Sequence, residues 1–191
     1  VLVVFLLLIN VYFKIANKYN IIDKPNERSS HTQITIRGGG IVFYFAGLMY
    51  FISSGFQYPI FFMGLTALAI ISFLDDIMDL SSKLRLGIHF LAMTSLIYEL
   101  GLFSLPIWLL LICFVVMTGI MNAYNFMDGI NGITGVYSLV LLCSLVYINR
   151  TIVNFVDNQL IYFSILSVLV FNFYNFRKKA SCFAGDVGSV V

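Results

Sequence analysis

Four polar stretches interrupt an otherwise apolar chain of 191 residues, and each carries side chains able to handle a phosphate, a cation or a nucleobase. The first runs from Asp23 through Arg28, Ser29, Ser30 and His31 to Arg37-Gly38-Gly39-Gly40. Consecutive glycines let a backbone approach a ligand closely, and the amides that open the following helix favour anions. Arg28, His31 and Arg37 add cationic donors suited to phosphate. The second stretch is Asp75-Asp76-Ile77-Met78-Asp79, followed by Lys83 and Arg85. Adjacent carboxylates with a third at helical spacing offer the hard oxygens that Mg²⁺ prefers. If the preceding helix continues, Asp75, Asp79 and Lys83 share one face.

The third stretch places Asn122, Asn125, Asp128 and Asn131 three residues apart, with Gly129 and Gly132 breaking the turn. Amides and a carboxylate at that spacing could ring a metal or hydrogen-bond a base and ribose. The fourth sets the basic run Arg177-Lys178-Lys179 before Phe183-Ala184-Gly185-Asp186-Val187-Gly188-Ser189. Gly-Asp-x-Gly is a weak signal alone; beside three other polar stretches it makes Asp186 a candidate metal ligand. Carboxylates for a divalent cation, cations and glycines for phosphates, and amides for a base form the inventory of phosphoryl transfer. There, catalysis is mainly positioning and charge neutralisation.

The elements that must position these groups are membrane helices. The chain is 60% hydrophobic and 10% charged, with mean hydropathy +0.96. A soluble domain carries roughly 25% charged residues, and a chain this short cannot hide so much apolar surface in a water-soluble core. Apolar runs near 1–16, 39–54, 58–74, 86–101, 105–121, 132–149 and 159–176 predict an all-α, polytopic transmembrane bundle of about seven spans. Alternation over seven spans puts ten of the eleven Lys and Arg on one side and leaves only Arg150 opposite. By the positive-inside rule that side is cytoplasmic. The carboxylates Asp75, Asp76, Asp128 and Asp186 fall there too, which the rule does not require; such groups near hydrocarbon are costly and tend to be functional. Cys113, Cys143 and Cys182 lack metal-ligand spacing and read as apolar fillers. The expected organisation is a single transmembrane catalytic domain over 1–191, truncated at both ends, since Val1 opens inside an apolar run and Val191 follows directly on a polar motif.

Taken in order, Arg28-Ser-Ser-His31 with Arg37-Gly-Gly-Gly40, Asp75-Asp76-x-x-Asp79, Asn125-Phe-Met-Asp128-Gly-Ile-Asn131-Gly and Phe183-Ala-Gly-Asp186-Val-Gly-Ser189 resemble the polyprenyl-phosphate N-acetylhexosamine-1-phosphate transferases. That family includes enzymes that begin O-antigen and teichoic-acid linkage synthesis, and the lipid I synthase. The resemblance implies a multi-pass enzyme of the bacterial inner membrane with a cytoplasmic site. It would transfer a sugar 1-phosphate from a UDP-N-acetylhexosamine to undecaprenyl phosphate and release UMP. It would require Mg²⁺, with Mn²⁺ able to substitute. By motif, Asp186 with Asn125 would bind the metal, and Asp75 and Asp76 would be the catalytic pair at the reacting phosphates. Asp128, Asn131, Asn175 and Phe183 would hold the uridine end or the metal site, and Arg28 and His31 would face phosphate. Asp79 points to the amino-sugar branch rather than the lipid I synthases, and Asn131 replaces the aspartate of most relatives. Expected partners are the bilayer, the two substrates and a second copy in a homodimer, but no nucleic acid. The rival reading, a transporter or channel fragment, requires polar groups near mid-span; here they lie at the ends.

Overall fold

The structure is a computed structural model that describes residues 1–23, 34–78, 80–128 and 130–191. Seven long helices follow the apolar runs: α1 Leu2–Tyr19, α2 Ile41–Ser53, α3 Pro59–Ile77, α4 Ser82–Glu99, α5 Ile107–Met127, α6 Ile133–Thr151 and α7 Asn158–Asn175. A short α8, Gly185–Val190, comes last. The only strands among the described residues are β1 (Ile22–Asp23) and β2 (Thr35–Ile36), an antiparallel pair. The chain is thus all-α in substance.

Four of these helices, α1, α3, α5 and α6, are long and apolar enough to cross a membrane. The remaining three of the seven expected spans fall short for separate reasons. Helix α2 has 13 residues, about 20 Å at 1.5 Å per residue, against a hydrocarbon core of about 30 Å. Helix α4 carries Lys83, Arg85 and Glu99, and α7 carries Asn158, Gln159, Asn172 and Asn175. The outward surface is that of a lipid-embedded bundle: on α5 only Leu110 is buried, while Ile107, Leu111, Val115 and Ile120 are exposed. Trp108, exposed at the start of α5, suits the membrane interface. The chain is a multi-pass membrane protein.

Inside the bundle, Phe5 and Ile9 of α1, Val42 and Ala46 of α2 and Phe171 of α7 form a dry core that extends to Cys182 and Ala184. Helix α2 packs between α3 and α7, α4 lies along α3, and α8 is held against α2, α3 and α5. Several helices overrun their apolar runs at the same end of the bundle. Helix α3 continues to Ile77 and so carries Asp75 and Asp76. Helix α5 continues to Met127 and carries Asn122 and Asn125, and α4 starts early with Lys83 and Arg85. These residues are therefore helical rather than in loops. Near the membrane surface, continued helix satisfies backbone amides and carbonyls that a loop would leave unpaired.

The condition under which Asp75 and Lys83 would share one helix face is not met. The helix ends at an extended Met78, and Ser81 caps a new helix by accepting from the Leu84 amide at 3.4 Å. Carboxylates at a helix C-terminus oppose its dipole, and serine is a strong N-cap. The Leu80 amide donates to Asp75 at 3.0 Å, so the same carboxylate helps reverse the chain.

Candidate active site

One end of the bundle brings together side chains from five segments. Asp75 and Asp76 come from the last turn of α3, Arg85 from the first turn of α4 and Asp128 from the cap of α5. Asp186 comes from α8 and Arg37 from the turn leading into α2. Arg37 bridges Asp76 (2.7 Å) and Asp186 (3.5 Å), and Arg85 bridges Asp75 (2.7 Å) and Asp186 (3.7 Å). The carboxyl groups of Asp75 and Asp186 lie within hydrogen-bonding reach of each other. Asp75, Asp76 and Asp186 are all buried.

The glycine triplet does something other than cradle a ligand. The amides of Gly39 and Gly40 donate to the carbonyls of Phe183 (2.8 Å) and Ala184 (3.0 Å). A Cβ on Gly40 would stand 2.2 Å from the Gly188 Cα. The two glycine-bearing motifs, far apart in sequence, are thus packed backbone to backbone. The close approach read from the glycines is real, but its object is the chain itself. Phe183 continues the seam by donating its amide to the Ile36 carbonyl at 2.8 Å.

Helix α8 carries Asp186 and has its first amides held by carboxylates from elsewhere. The Asp186 amide donates to Asp76 Oδ1 (2.8 Å), the Val187 amide to Asp76 Oδ2 (3.1 Å) and the Gly185 amide to Asp128 Oδ2 (3.2 Å). Asp128 Oδ1 accepts from the Thr134 hydroxyl at 2.8 Å. Gly185 has φ of +72°, and a Cβ there would fall 2.6 Å from the Asp76 carboxylate, so glycine is required twice over.

Burial dominates the electrostatics. It pushes Asp128 up to about 6. It also pushes Asp186 up, to about 7, with help from the hydrogen bond to Asp75 and the charge of Asp76, against the two arginines. Burial works against the Arg37 charge as well, but Asp76 and Asp186 outweigh it and hold the guanidinium protonated. Four carboxylates face two guanidinium groups, so full ionisation would leave the cluster two positive charges short. Without another cation, protons on Asp186 and Asp128 make up part of that difference.

The remaining expected residues are placed differently. Asn175 is buried: its Oδ1 accepts from the Gly132 amide (2.6 Å) and its Nδ2 donates to the Cys182 carbonyl (2.8 Å), tying the start of α6 to the approach to α8. Phe183 is 8% exposed, with its ring turned into the protein. Asn131 donates to the Arg177 carbonyl at 3.0 Å. Asn125 is half-buried on the last turn of α5, one turn before Asp128. Arg28, His31 and Asp79 lie outside the described residues. Arg85, read from sequence as an inside-positive charge that with Lys83 could neutralise the acidic helix end, bridges Asp75 and Asp186; its ten-residue separation from Asp75 crosses a helix break and leaves no periodic signal.

Could this donor set accept a divalent cation? Among the described residues no three His, Cys, Asp or Glu side chains converge closely enough to cage one alone. Mg²⁺ commonly takes only one or two carboxylates and completes its octahedron with water and substrate phosphates. The Asp75–Asp186 pair and the two-charge shortfall fit that mode.

Fold and site together define a polytopic membrane protein with an acidic, arginine-bridged centre at one end of its bundle. More particularly, the chain belongs to glycosyl transferase family 4, whose pattern matches residues 58–191. It is 28% identical over 198 residues to a probable undecaprenyl-phosphate N-acetylglucosaminyl 1-phosphate transferase of Bacillus subtilis, covering 93% of this chain and 54% of the relative. It is also 28% identical, over 182 residues, to the undecaprenyl-phosphate alpha-N-acetylglucosaminyl 1-phosphate transferase of Thermotoga maritima (91% and 54%). A phospho-N-acetylmuramoyl-pentapeptide-transferase of Fervidobacterium nodosum is 27% identical over 177 residues (82% and 55%). The chain spans about half the length of these curated relatives.

Proposed function

We propose that this chain supplies the acidic centre of an enzyme that transfers N-acetylhexosamine 1-phosphate from a UDP-sugar to undecaprenyl phosphate. The observation that carries this is the convergence of Asp75, Asp76, Asp128 and Asp186 with Arg37 and Arg85 at one end of a membrane bundle. A lipid acceptor and a soluble donor can meet only at such an end. The relatives' names support the acceptor and an amino sugar, and the inside-positive charge pattern supports a site facing the cytoplasm across the bacterial inner membrane.

In this reading an oxygen of the lipid phosphate attacks the sugar-bearing phosphorus of the UDP-sugar. The bond to the bridging oxygen breaks, and UMP leaves with the electron pair. Bound Mg²⁺, held by Asp75 and Asp186 with Asn125 nearby, would neutralise diphosphate charge; Mn²⁺ would serve similarly. Arg37 and Arg85 keep the carboxylates aligned while the site is uncharged by metal. The product fits the start of an envelope polysaccharide such as an O-antigen. A transport pathway is disfavoured because the ionised groups gather at helix ends rather than at mid-span.

The test is UMP release in membranes carrying the protein. Release should require a UDP-N-acetylhexosamine, undecaprenyl phosphate and Mg²⁺ together. UMP formed equally well without the lipid, or with none of the UDP-N-acetylhexosamines, would overturn the reading.

A further inference from the structure

We infer that Asp76 and Asp128 are positioning residues, a two-carboxylate clasp that holds α8 so that Asp186 meets Asp75, and that neither touches substrate. The inference rests on the proposed transferase reading for its kinetic part only. Every accessible direction on the Asp76 carboxylate is already taken. Oδ1 accepts from the Asp186 amide (2.8 Å) and the Arg37 Nε (2.7 Å), and Oδ2 accepts from the Val187 amide (3.1 Å). Its side chain is 0% exposed, and the glycine positions at 38 and 185 close over Oδ2. Asp128 is half-buried and has each oxygen engaged, Oδ1 by the Thr134 hydroxyl and Oδ2 by the Gly185 amide.

The three amides held are the first of α8, and a helix leaves its first N–H groups without internal partners. In a six-residue helix they are half of all the amides. Carboxylates from α3 and α5 therefore decide where α8 sits. Asp75, whose oxygens face Arg85 and Asp186, and Asp186, which meets both arginines, are left as the pair turned toward ligands. Misplacing a reacting group by about 1 Å can cost on the order of 10²-fold in rate, so a clasp residue can look catalytic in a simple activity assay.

The discriminating measurements are metal binding and the exposure of Cys182, which is fully buried and packs against Gly39 beside the clasp. In protein with Cys113→Ser and Cys143→Ser, Asp76→Asn places an amide donor against amide and guanidinium donors. The expected result is at least a tenfold faster maleimide reaction at Cys182 and at least a tenfold weaker Mn²⁺ affinity by electron paramagnetic resonance. Adding Asp76→Asn to Asp186→Asn should cost no further turnover, because the residue it positions is already gone. If Asp76→Asn is not recovered folded, Asp128→Asn, which weakens one amide contact, should show the same two changes at smaller size. Turnover lost with Cys182 still protected and Mn²⁺ affinity unchanged would overturn the inference. Should the parent protein release no UMP at all, the transferase reading fails, while the Cys182 and Mn²⁺ measurements still decide the clasp.

Discussion

The two ends of the bundle solve the same problem with different surplus. Both offer side-chain oxygens to helix N-termini, where the first amides lack partners and the dipole favours negative charge. At the end bearing Glu99, each acceptor serves one local purpose. Glu99 accepts from the Ile60 and Phe61 amides at 2.9 Å each and caps α3. Asp157 caps α7 through the Gln159 amide (2.9 Å), and Asn149 gathers the Phe155 and Val156 amides at 2.8 and 3.1 Å. At the opposite end three buried carboxylates and the half-buried Asp128 share one short helix and two arginines. Capping alone explains Asp76 and Asp128; it leaves Asp75 and Asp186 facing each other. That excess is what distinguishes the two ends.

The sharpest way to break this contrast is to remove the excess. Asp186→Asn and Asp75→Asn should each lower UMP release by on the order of 10²- to 10³-fold, the scale for losing a group that stabilises developing charge. Asp186→Asn should not lower thermal stability in metal-free buffer, because burial already favours its uncharged form, whereas Asp75→Asn gives up the pairing with Arg85 and should lower it. A variant that kept activity but lost stability would make this end as structural as the other.

A second test concerns protons. The folded-state values of Asp128 and Asp186 are raised, to about 6 and about 7, above their ordinary value of 3.8. A raised carboxyl favours folding while protonated, so its contribution is complete below the unfolded value and is lost as pH rises through the folded one. Metal-free protein should therefore become less stable between about pH 4 and 7, then level off. Saturating Mg²⁺ should flatten that decline, since a cation binding only the folded, ionised cluster adds stability. Melting curves in EDTA and in Mg²⁺ would show both; a rise in stability over that range without metal would contradict the burial argument.

Arg85→Gln sharpens the comparison from the cationic side. It removes the partner of Asp75 and weakens the hold on Asp186, and a loss of roughly 10- to 10²-fold in turnover is expected, as for a positioning error of about 1 Å. Equal loss from Arg150→Gln would show that the two ends do not differ in kind.

How much of this could be read in advance depended on locality. The seven helices were legible because a long apolar run has one stable solution in lipid. The gathering of Asp75, Asp76, Asp128 and Asp186 at one end was legible because the order of spans sends each to the same side. Their division of labour was not, since nothing near Asp76 in sequence announces that its acceptors serve amides 110 and 111 residues away. The same distance hid the meeting of Gly40 with Gly188, two residues whose type signals close approach but not to what. Asn175, read as substrate-facing from its motif, turned out to have both ends of its amide occupied by the chain. Arg85 was masked by a helix break that its own neighbourhood, Met78 to Ser81, creates.

The smallest expected effect lies at the structural end and closes the comparison. Glu99→Ala removes the acceptor of two α3 amides, and losing a helix cap costs about 1 kcal/mol. Glu99→Gln keeps an acceptor oxygen and gives up only the charge at the helix dipole, a few tenths of that at an exposed site. Turnover should stay within about twofold in both, because Glu99 lies at the far end of α3 from Asp75. Melting temperatures of the two variants measured beside UMP release would check the ordering. If Glu99→Ala reduced turnover as strongly as Arg85→Gln, α3 would have to act as a rigid lever between the two ends, and the far cap would belong to the site.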